Sequence, residues 1–165
     1  MPATKCGIIA FAFGVPAAIR SNRQIALIAS DQAKKLNAPV FTQADVRLEH
    51  GITASRIDEE PGKPPPTLRM ARDAIKWAIK NGITELHVVA AKPHMWRAHR
   101  DVRRAVQEIG MQHRIAVHSI DTKFPKDSWF CVDSTQERVR SPEAWNKRER
   151  ILKWLPFFIY KRVAS

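Results

Sequence analysis

The residue types best suited to chemistry in this chain lie between a strand-like segment and a helix-like segment. Residues 85–91 are short and largely apolar, Pro93 interrupts them, and a basic segment follows that ends at Gly110. His94 and Arg97 stand at this boundary. A histidine can donate, accept or transfer a proton near neutral pH, and an arginine can hold a phosphate or carboxylate through two parallel hydrogen bonds. We therefore predict that His94 is catalytic and that Arg97 binds an anionic ligand.

The helix after this boundary is predicted to begin at about Met95. The amides of its first turn would then face the same crevice, and the positive end of the helix dipole would favour an anion there. The alternative is that His94 only caps the helix and that Arg97 is a solvated surface residue.

The remaining candidate ligand-binding residues follow other predicted strands or open a helix. In chain order they are Gly14, Gln43, Asp45, Glu60 (with Glu59 as its alternative) and Thr67. Because the carboxyl ends of parallel strands meet at one edge of a sheet, we expect these residues to approach His94 and Arg97. Two alternatives stay open: Thr67 could be a plain helix N-cap, and the two glutamates could be solvated loop residues.

The elements that must position these residues alternate along the chain. Apolar segments at 6–13, 38–42 and 83–91 predict strands, an alternating segment at 114–120 predicts another, and 52–57 gives a weaker strand signal. Helical periodicity separates them, beginning with a helix capped by Ser21. Right-handed connections between parallel strands are the economical arrangement for this order. We predict one domain, residues 1–165, folded as a three-layer Rossmann-like α/β sandwich of about five mainly parallel strands with helices on both faces.

A formal net charge of +12 indicates that the partner is anionic: a phosphorylated small molecule, nucleic acid or an anionic membrane. Arg100, Arg103 and Arg104 could contact nucleic acid, or they could form a solvated helix face. The segment 154–162 mixes aromatic and cationic residues, and Pro156 is expected to bend or break its helix. Its aromatics could lie at a membrane interface or cover the sheet.

Several classes of site are disfavoured. The chain contains no GxGxxG, Walker A, HExxH or GxSxG motif, and no apolar run reaches the roughly 20 residues of a membrane span. Cys6 and Cys131 are far apart and are predicted to be reduced thiols. The histidines show no metal-binding spacing, so no metal site is predicted. We expect a cytoplasmic protein, with a peripheral position at the inner membrane as the alternative.

The block from Lys92 to Ala98 (KPHMWRA) resembles the YdcF/SanA-like family, in which a histidine is followed three residues later by arginine and then alanine. The resemblance extends over most of the chain, including Gly14, Glu59-Glu60, Thr67-Leu68 and the Arg148-Glu149 pair. It implies a Rossmann-like fold with a crevice near His94. Nucleotide-like ligands, S-adenosylmethionine among them, and envelope-related roles are what the family suggests.

These observations favour a protein that binds an anionic, nucleotide-like or phosphorylated small molecule at the carboxyl edge of its sheet. Group transfer is the reaction class we would expect of such a site, because anion stabilisation is what it offers. The alternative is a basic, non-enzymatic module that binds nucleic acid or an anionic membrane or envelope surface.

Overall fold

A computed structural model of the protein describes residues 4–60 and 62–164, which contain one five-stranded sheet in which every strand is parallel to its neighbours. The strand order is β3-β2-β1-β4-β5. The strands are β1 (Cys6–Ala10), β2 (Val40–Thr42), β3 (Ala54–Arg56), β4 (Glu85–Val89) and β5 (Ala116–Ser119). The predicted Rossmann-like α/β fold is confirmed.

Helices cover both faces of the sheet. They are α1 (Arg20–Leu36), α2 (Thr67–Lys80), α3 (Lys92–Glu108), α4 (Pro142–Trp154) and α5 (Phe157–Val163), with 3-10 turns at Lys126–Trp129 and Glu137–Val139. One core layer joins α2 and α3 to the face that carries Ile9, and the other joins α1, Trp129 and Trp145 to the face that carries Ile8. This double cover explains why β1 is a continuous apolar run rather than an alternating one.

The first strand is shorter than its apolar run predicts. Phe11 still donates its amide hydrogen to Val89 of β4, but the next two amides leave the ladder. The amide of Ala12 donates to Gln43 Oε1, and that of Phe13 donates to Asn22 Oδ1, both at 2.9 Å. Side chains thus take over the hydrogen bonding where the strand ends, and residues 11–14 become a loop at the carboxyl edge.

The two predicted helix caps have different outcomes. Ser141 caps α4 as predicted, because its Oγ accepts a hydrogen bond from the amide of Ala144. The prediction for Ser21 is wrong: α1 begins at Arg20 after Ile19, and Ser21 Oγ donates to the carbonyl of Phe13 at 2.7 Å. The polar side chains at the start of α1 hold the loop after β1 instead of capping the helix.

Pro156 ends α4 and separates it from α5, as predicted. The prediction that the C-terminal aromatics cover the sheet is wrong, because α5 packs on helices instead. Tyr160 Oη donates to Asp101 of α3, and the amide of Arg69 in α2 donates to the carbonyl of Ala164. Across residues 4–60 and 62–164, no helix is both long enough and apolar enough to cross a membrane.

Candidate functional site

A cavity of about 210 Å³ opens at the carboxyl edge of the sheet, beside the ends of β1 and β4. The connections that follow these neighbouring strands run to opposite faces of the sheet, because β1 leads to α1 on one face and β4 leads to α3 on the other. A crevice at such a switch point is where open α/β sheets bind ligands. Its wall is drawn from the loop after β1, the prolines before α2, the start of α3, and α4 with the ends of its flanking segments.

Gly14 and Gln43 form one side of the cavity. The φ angle of Gly14 is +98°, which favours glycine, and a Cβ atom at this position would lie 2.8 Å from both Ser134 Oγ and a methyl group of Val139. Gln43 is buried, and its Oε1 accepts the amide hydrogen of Ala12. The amide N–H groups of Gln43 are therefore what it offers to a ligand.

Three residues at the centre of the site form one hydrogen-bonded chain. Arg97 Nη1 donates to Thr67 Oγ1 at 3.1 Å, and Thr67 Oγ1 lies 3.3 Å from His94 Nε2. Because the Arg97 guanidinium can only donate, the Thr67 hydroxyl keeps its own hydrogen for His94. The arrangement places a proton acceptor, a hydroxyl and a fixed cation in sequence on the cavity wall.

Thr67 is the first residue of α2, whose N-cap is Pro66. The interpretation of Thr67 as a plain N-cap is therefore wrong, and its hydroxyl serves the site instead. The three prolines before it also line the cavity, so the proline-rich loop both ends regular structure and brings the start of α2 to the sheet edge.

His94 lies among aromatic rings. Phe11, Phe13 and Trp145 surround it at centroid distances of 5.9, 6.2 and 5.5 Å. Burial lowers the pKa of His94 well below its ordinary value, and the charges of Arg97, Arg148 and Arg138 lower it further. His94 is therefore neutral at physiological pH, and its Nε2 accepts the hydrogen bond from the Thr67 hydroxyl. Its Nδ1 has no hydrogen-bond partner among the described residues.

Arg97 is as buried as His94, with 5% of each residue exposed. Its Nε lies 3.0 Å from Oε1 of Glu149, which is also buried. The alternative that Arg97 is merely solvated is wrong. Burial raises the pKa of Glu149 while Arg97 and Arg148 lower it. Glu149 holds Arg97 in place and is the carboxylate that faces this group of cations.

Two further arginines line the cavity, and the sequence analysis did not identify either as a site residue. They are Arg138, in the 3-10 turn Glu137–Val139, and Arg148 of α4. Partial burial lowers the pKa of Arg148 to about 10, and the charges of Arg97 and Arg138 contribute. The pKa of Arg138 is lowered in the same way by burial and Arg97. Nothing in the local sequence marks Arg138, whereas Arg148 belonged to the segment that carries the family resemblance.

Five of the seven predicted site residues line the cavity: Gly14, Gln43, Thr67, His94 and Arg97. Glu60 and Asp45 are not part of its wall. Glu60 is exposed and forms an ion pair with Lys63 at 2.6 Å. Glu59, its alternative, accepts the amide hydrogen of Ala44 after β2 and so braces a neighbouring loop.

The prediction that the first-turn amides of α3 face an incoming anion is wrong. The helix begins at Lys92, three residues before the expected start at Met95. Its second residue is Pro93, which has no amide hydrogen, and the amides of His94 and Met95 both donate to the carbonyl of Ala91. Binding of an anion at this cavity therefore depends on side chains.

The basic face of α3 is only partly solvated. Arg103 and Arg104 are exposed, but Arg100 donates to Asp101 and stacks on Tyr160 with its guanidinium carbon 4.3 Å from the ring centre. Arg104 lies over the ring of Phe157. These three cations lie outside the cavity, and Arg100 and Arg104 pack against the C-terminal segment.

No protein-family model matches this chain, and no curated protein matches it.

Proposed function

We propose that this protein binds the phosphate end of a small, phosphorylated, nucleotide-like molecule in the cavity at the carboxyl edge of its sheet. The observation that carries the proposal is the convergence of three arginines, Arg97, Arg138 and Arg148, on one cavity. Arginine binds phosphate through paired, charge-assisted hydrogen bonds. Among the residues that the structure describes, Glu149 is the acidic side chain that forms an ion pair with Arg97, against three guanidinium groups on the cavity wall.

The electrostatics supports an anionic ligand. Burial is the largest cause of the lowered pKa values of His94, Arg138 and Arg148, and the charge of Arg97 lowers all three further. Like charges at close range cost free energy, and a bound phosphate would reduce that cost.

The size of the cavity supports a phosphate end rather than a whole nucleotide. Its volume of about 210 Å³ is below the roughly 300–1,000 Å³ that pockets for drug-sized ligands occupy. A phosphate or pyrophosphate group with a small attached portion would fill it, and a base or longer chain would extend outside. Thr67 and Gln43 would add neutral hydrogen bonds to those of the arginines.

Group transfer is the reaction class that this arrangement serves. A neutral histidine accepts a hydrogen bond from a hydroxyl that lines an anion site, which is the relation between base and hydroxyl that activates nucleophiles in many enzymes. In this proposal the Thr67 oxygen forms a bond to the phosphorus while its proton passes to His94. The bond from phosphorus to the oxygen of the leaving group breaks, and that oxygen takes the proton from His94, while the arginines stabilise the negative charge that develops on the transferred group.

A thermal-shift series tests the binding proposal. Phosphate, pyrophosphate, AMP, ADP and sugar phosphates are compared with sodium chloride at equal ionic strength. We expect at least one phosphorylated compound to raise Tm, because saturation at 100 times Kd stabilises a protein by about 2.7 kcal/mol. Arg138→Gln should reduce the shift, and Arg150→Gln, at an exposed arginine of α4 outside the cavity, should leave it unchanged. Equal shifts in both variants, or none in the parent, would refute the proposal.

A second candidate function rests on a separate surface. Trp96, Trp154 and Phe158 are 51, 85 and 69% exposed, and cations accompany them. Arg100 and Lys153 both lie over the ring of Trp96, at 4.9 and 4.8 Å. Aromatic rings interleaved with cations are typical of proteins that bind the headgroup region of anionic membranes. We propose peripheral attachment to such a membrane as the alternative or additional role.

Vesicle co-sedimentation tests this second candidate. Binding to phosphatidylglycerol vesicles but not to phosphatidylcholine vesicles is expected, and the double variant Trp154→Ala/Phe158→Ala should lose it. Val132→Ala is the matched control, because Val132 is 76% exposed but lies away from this surface. Absence of binding to anionic vesicles would exclude the role. Binding to nucleic acid that depends on Arg103 and Arg104 would favour the remaining alternative.

A further inference from the structure

A second group of potential ligand residues lies at the opposite edge of the sheet from the cavity. Cys6 at the start of β1 is paired in register with Glu85 at the start of β4, and His87 of β4 is paired with His118 of β5. Side chains two residues apart on a strand point to the same face, so Glu85 and His87 share one face with these partners. Three neighbouring strands thus bring four side chains that can bind metal onto one face of the sheet, with Cys6 and Glu85 at the amino ends of β1 and β4.

The distances within this group are short. A sulfur, a carboxylate oxygen and a ring nitrogen of Cys6, Glu85 and His87 all lie within 4.8 Å of one another. Glu85 Oε1 is 3.5 Å from His87 Nε2 and 3.1 Å from His118 Nε2. The two imidazole rings are stacked with their centres 5.3 Å apart. Cys6, Glu85 and His87 therefore form the compact group, and His118 contacts it through Glu85.

The group has an unsatisfied polar atom. Nε2 of His87 is buried and makes no hydrogen bond to any described residue, although it faces Glu85. A cation among these groups would satisfy the nitrogen and favour the thiolate.

We propose that Cys6, Glu85, His87 and His118 bind one divalent transition metal ion, with zinc as the expected ion. Sulfur and imidazole ligands select zinc over magnesium and calcium, which prefer sets of oxygen ligands. In this proposal the His118 ring, which contacts the group through Glu85, turns to supply the fourth ligand, so that a closed tetrahedral shell joins β1, β4 and β5. His118 is half exposed, which gives its ring room to turn toward the ion.

The sequence gives no indication of this site, because its proposed ligands do not form a motif with metal-binding spacing. Residues 6, 85, 87 and 118 meet only because the strand order sets β4 between β1 and β5. The site is also independent of the proposed phosphate site, which lies at the carboxyl ends of the same strands. Failure of one proposal leaves the other untouched.

Metal titration of the untagged protein, first treated with a chelator, tests the proposal. We expect one equivalent of Zn²⁺ to bind in competition with a chromogenic chelator, with release of the Cys6 proton to the buffer. Co²⁺ should give the intense visible bands of a tetrahedral site together with a thiolate charge-transfer band in the near ultraviolet. Absence of stoichiometric binding of either ion would overturn the proposal.

Variants assign the ligands. Cys6→Ser should abolish the charge-transfer band, and His87→Gln should weaken Zn²⁺ binding by about 100-fold or more, since even residues behind metal ligands change affinity about 10- to 100-fold. Cys131→Ser and His113→Gln, which remove a cysteine and a histidine outside the group, should bind as the parent does. Unchanged binding in Cys6→Ser and His87→Gln would show that the four residues form only a local ion-pair network. The Co²⁺ spectrum of the parent decides the matter even if a variant folds poorly.

Discussion

Thr67 Oγ1 accepts a hydrogen bond from Arg97 Nη1 at 3.1 Å across 30 positions of sequence. The bond joins the first turn of α2 to the second turn of α3, and both side chains are buried. His94 occupies the other side of the same hydroxyl. This contact brings the starts of two helices that are separate in the sequence into one site. Four predictions concern this contact and its surroundings.

Replacing Thr67 with valine keeps the shape of the side chain and removes its hydroxyl. Arg97 then loses a buried acceptor, so we expect the free energy of unfolding to fall by about 1–3 kcal/mol. The thermal shift with phosphorylated ligands should fall with it. Thr67→Ser keeps the oxygen and should retain both properties. Calorimetric titration with pyrophosphate measures the difference, and equal binding by the two variants would count against a ligand role for the hydroxyl.

Replacing Arg148 with glutamine should separate stability from binding. Its pKa of about 10 shows that burial and the neighbouring arginines disfavour its charge in the ligand-free protein. Removal of that charge should leave Tm unchanged or raise it at low salt while weakening phosphate binding. Arg150→Gln on the same helix serves as the control for helix propensity. A loss of Tm in Arg148→Gln but not in Arg150→Gln would show that Arg148 has a structural role instead.

The burial of His94 predicts a dependence of stability on pH. Its pKa is lowered in the folded protein, so below about 6.5, the ordinary value for histidine, the unfolded chain binds a proton that the folded protein does not. The free energy of unfolding should therefore decrease as the pH falls below that value. Denaturant titrations of the parent and His94→Gln, made from about one unit above that value to about one and a half units below it, should differ in the slope of stability against pH. Parallel curves would mean that His94 does not titrate in this manner.

The contact between Tyr160 and Asp101 predicts that the C-terminal helix completes the cavity. Asp101 is fully buried, and Tyr160 Oη donates to it from α5, whose Val163 lines the cavity together with Ala164. Tyr160→Phe should lower the free energy of unfolding by about 1–3 kcal/mol, since a buried carboxylate oxygen loses its donor. Ligand affinity should also fall. Hydrogen exchange should show faster exchange in α5 of the variant, and unchanged exchange there would indicate that α5 is held by its apolar contacts alone.

Local sequence patterns were sufficient for the order of the elements. The apolar runs predicted the strands because a parallel sheet covered on both faces must be apolar throughout, as Ile8 and Ile9 are. Pro156 and Ser141 marked a helix break and a helix start through backbone constraints that act within a few residues. The same local reasoning placed the start of α3 too late, since it took the residue after His94 rather than Lys92 as the first helical position.

Identification of the candidate site needed both the sequence pattern and the tertiary structure. Strand ends and residue types predicted Gly14, Gln43, Thr67, His94 and Arg97, because in a parallel sheet the carboxyl ends of the strands necessarily share an edge. They also predicted Glu60, with Glu59 as its alternative, although neither lines the cavity, since the orientation of a side chain at a strand end depends on the loop that follows. They also gave no indication of Arg138, which reaches the cavity from an irregular segment.

The sequence by itself determined the alternation of strands and helices, the excess of positive charge and the block that contains His94 and Arg97. These depend on properties of neighbouring residues. The tertiary structure decided which distant groups meet: Arg138, Arg148 and Glu149 around the cavity, and Cys6 and His118 around Glu85. The physical reason is that burial and charge act through space, so a guanidinium or a thiol acquires its chemistry from groups that only the strand order and helix packing bring within a few ångströms.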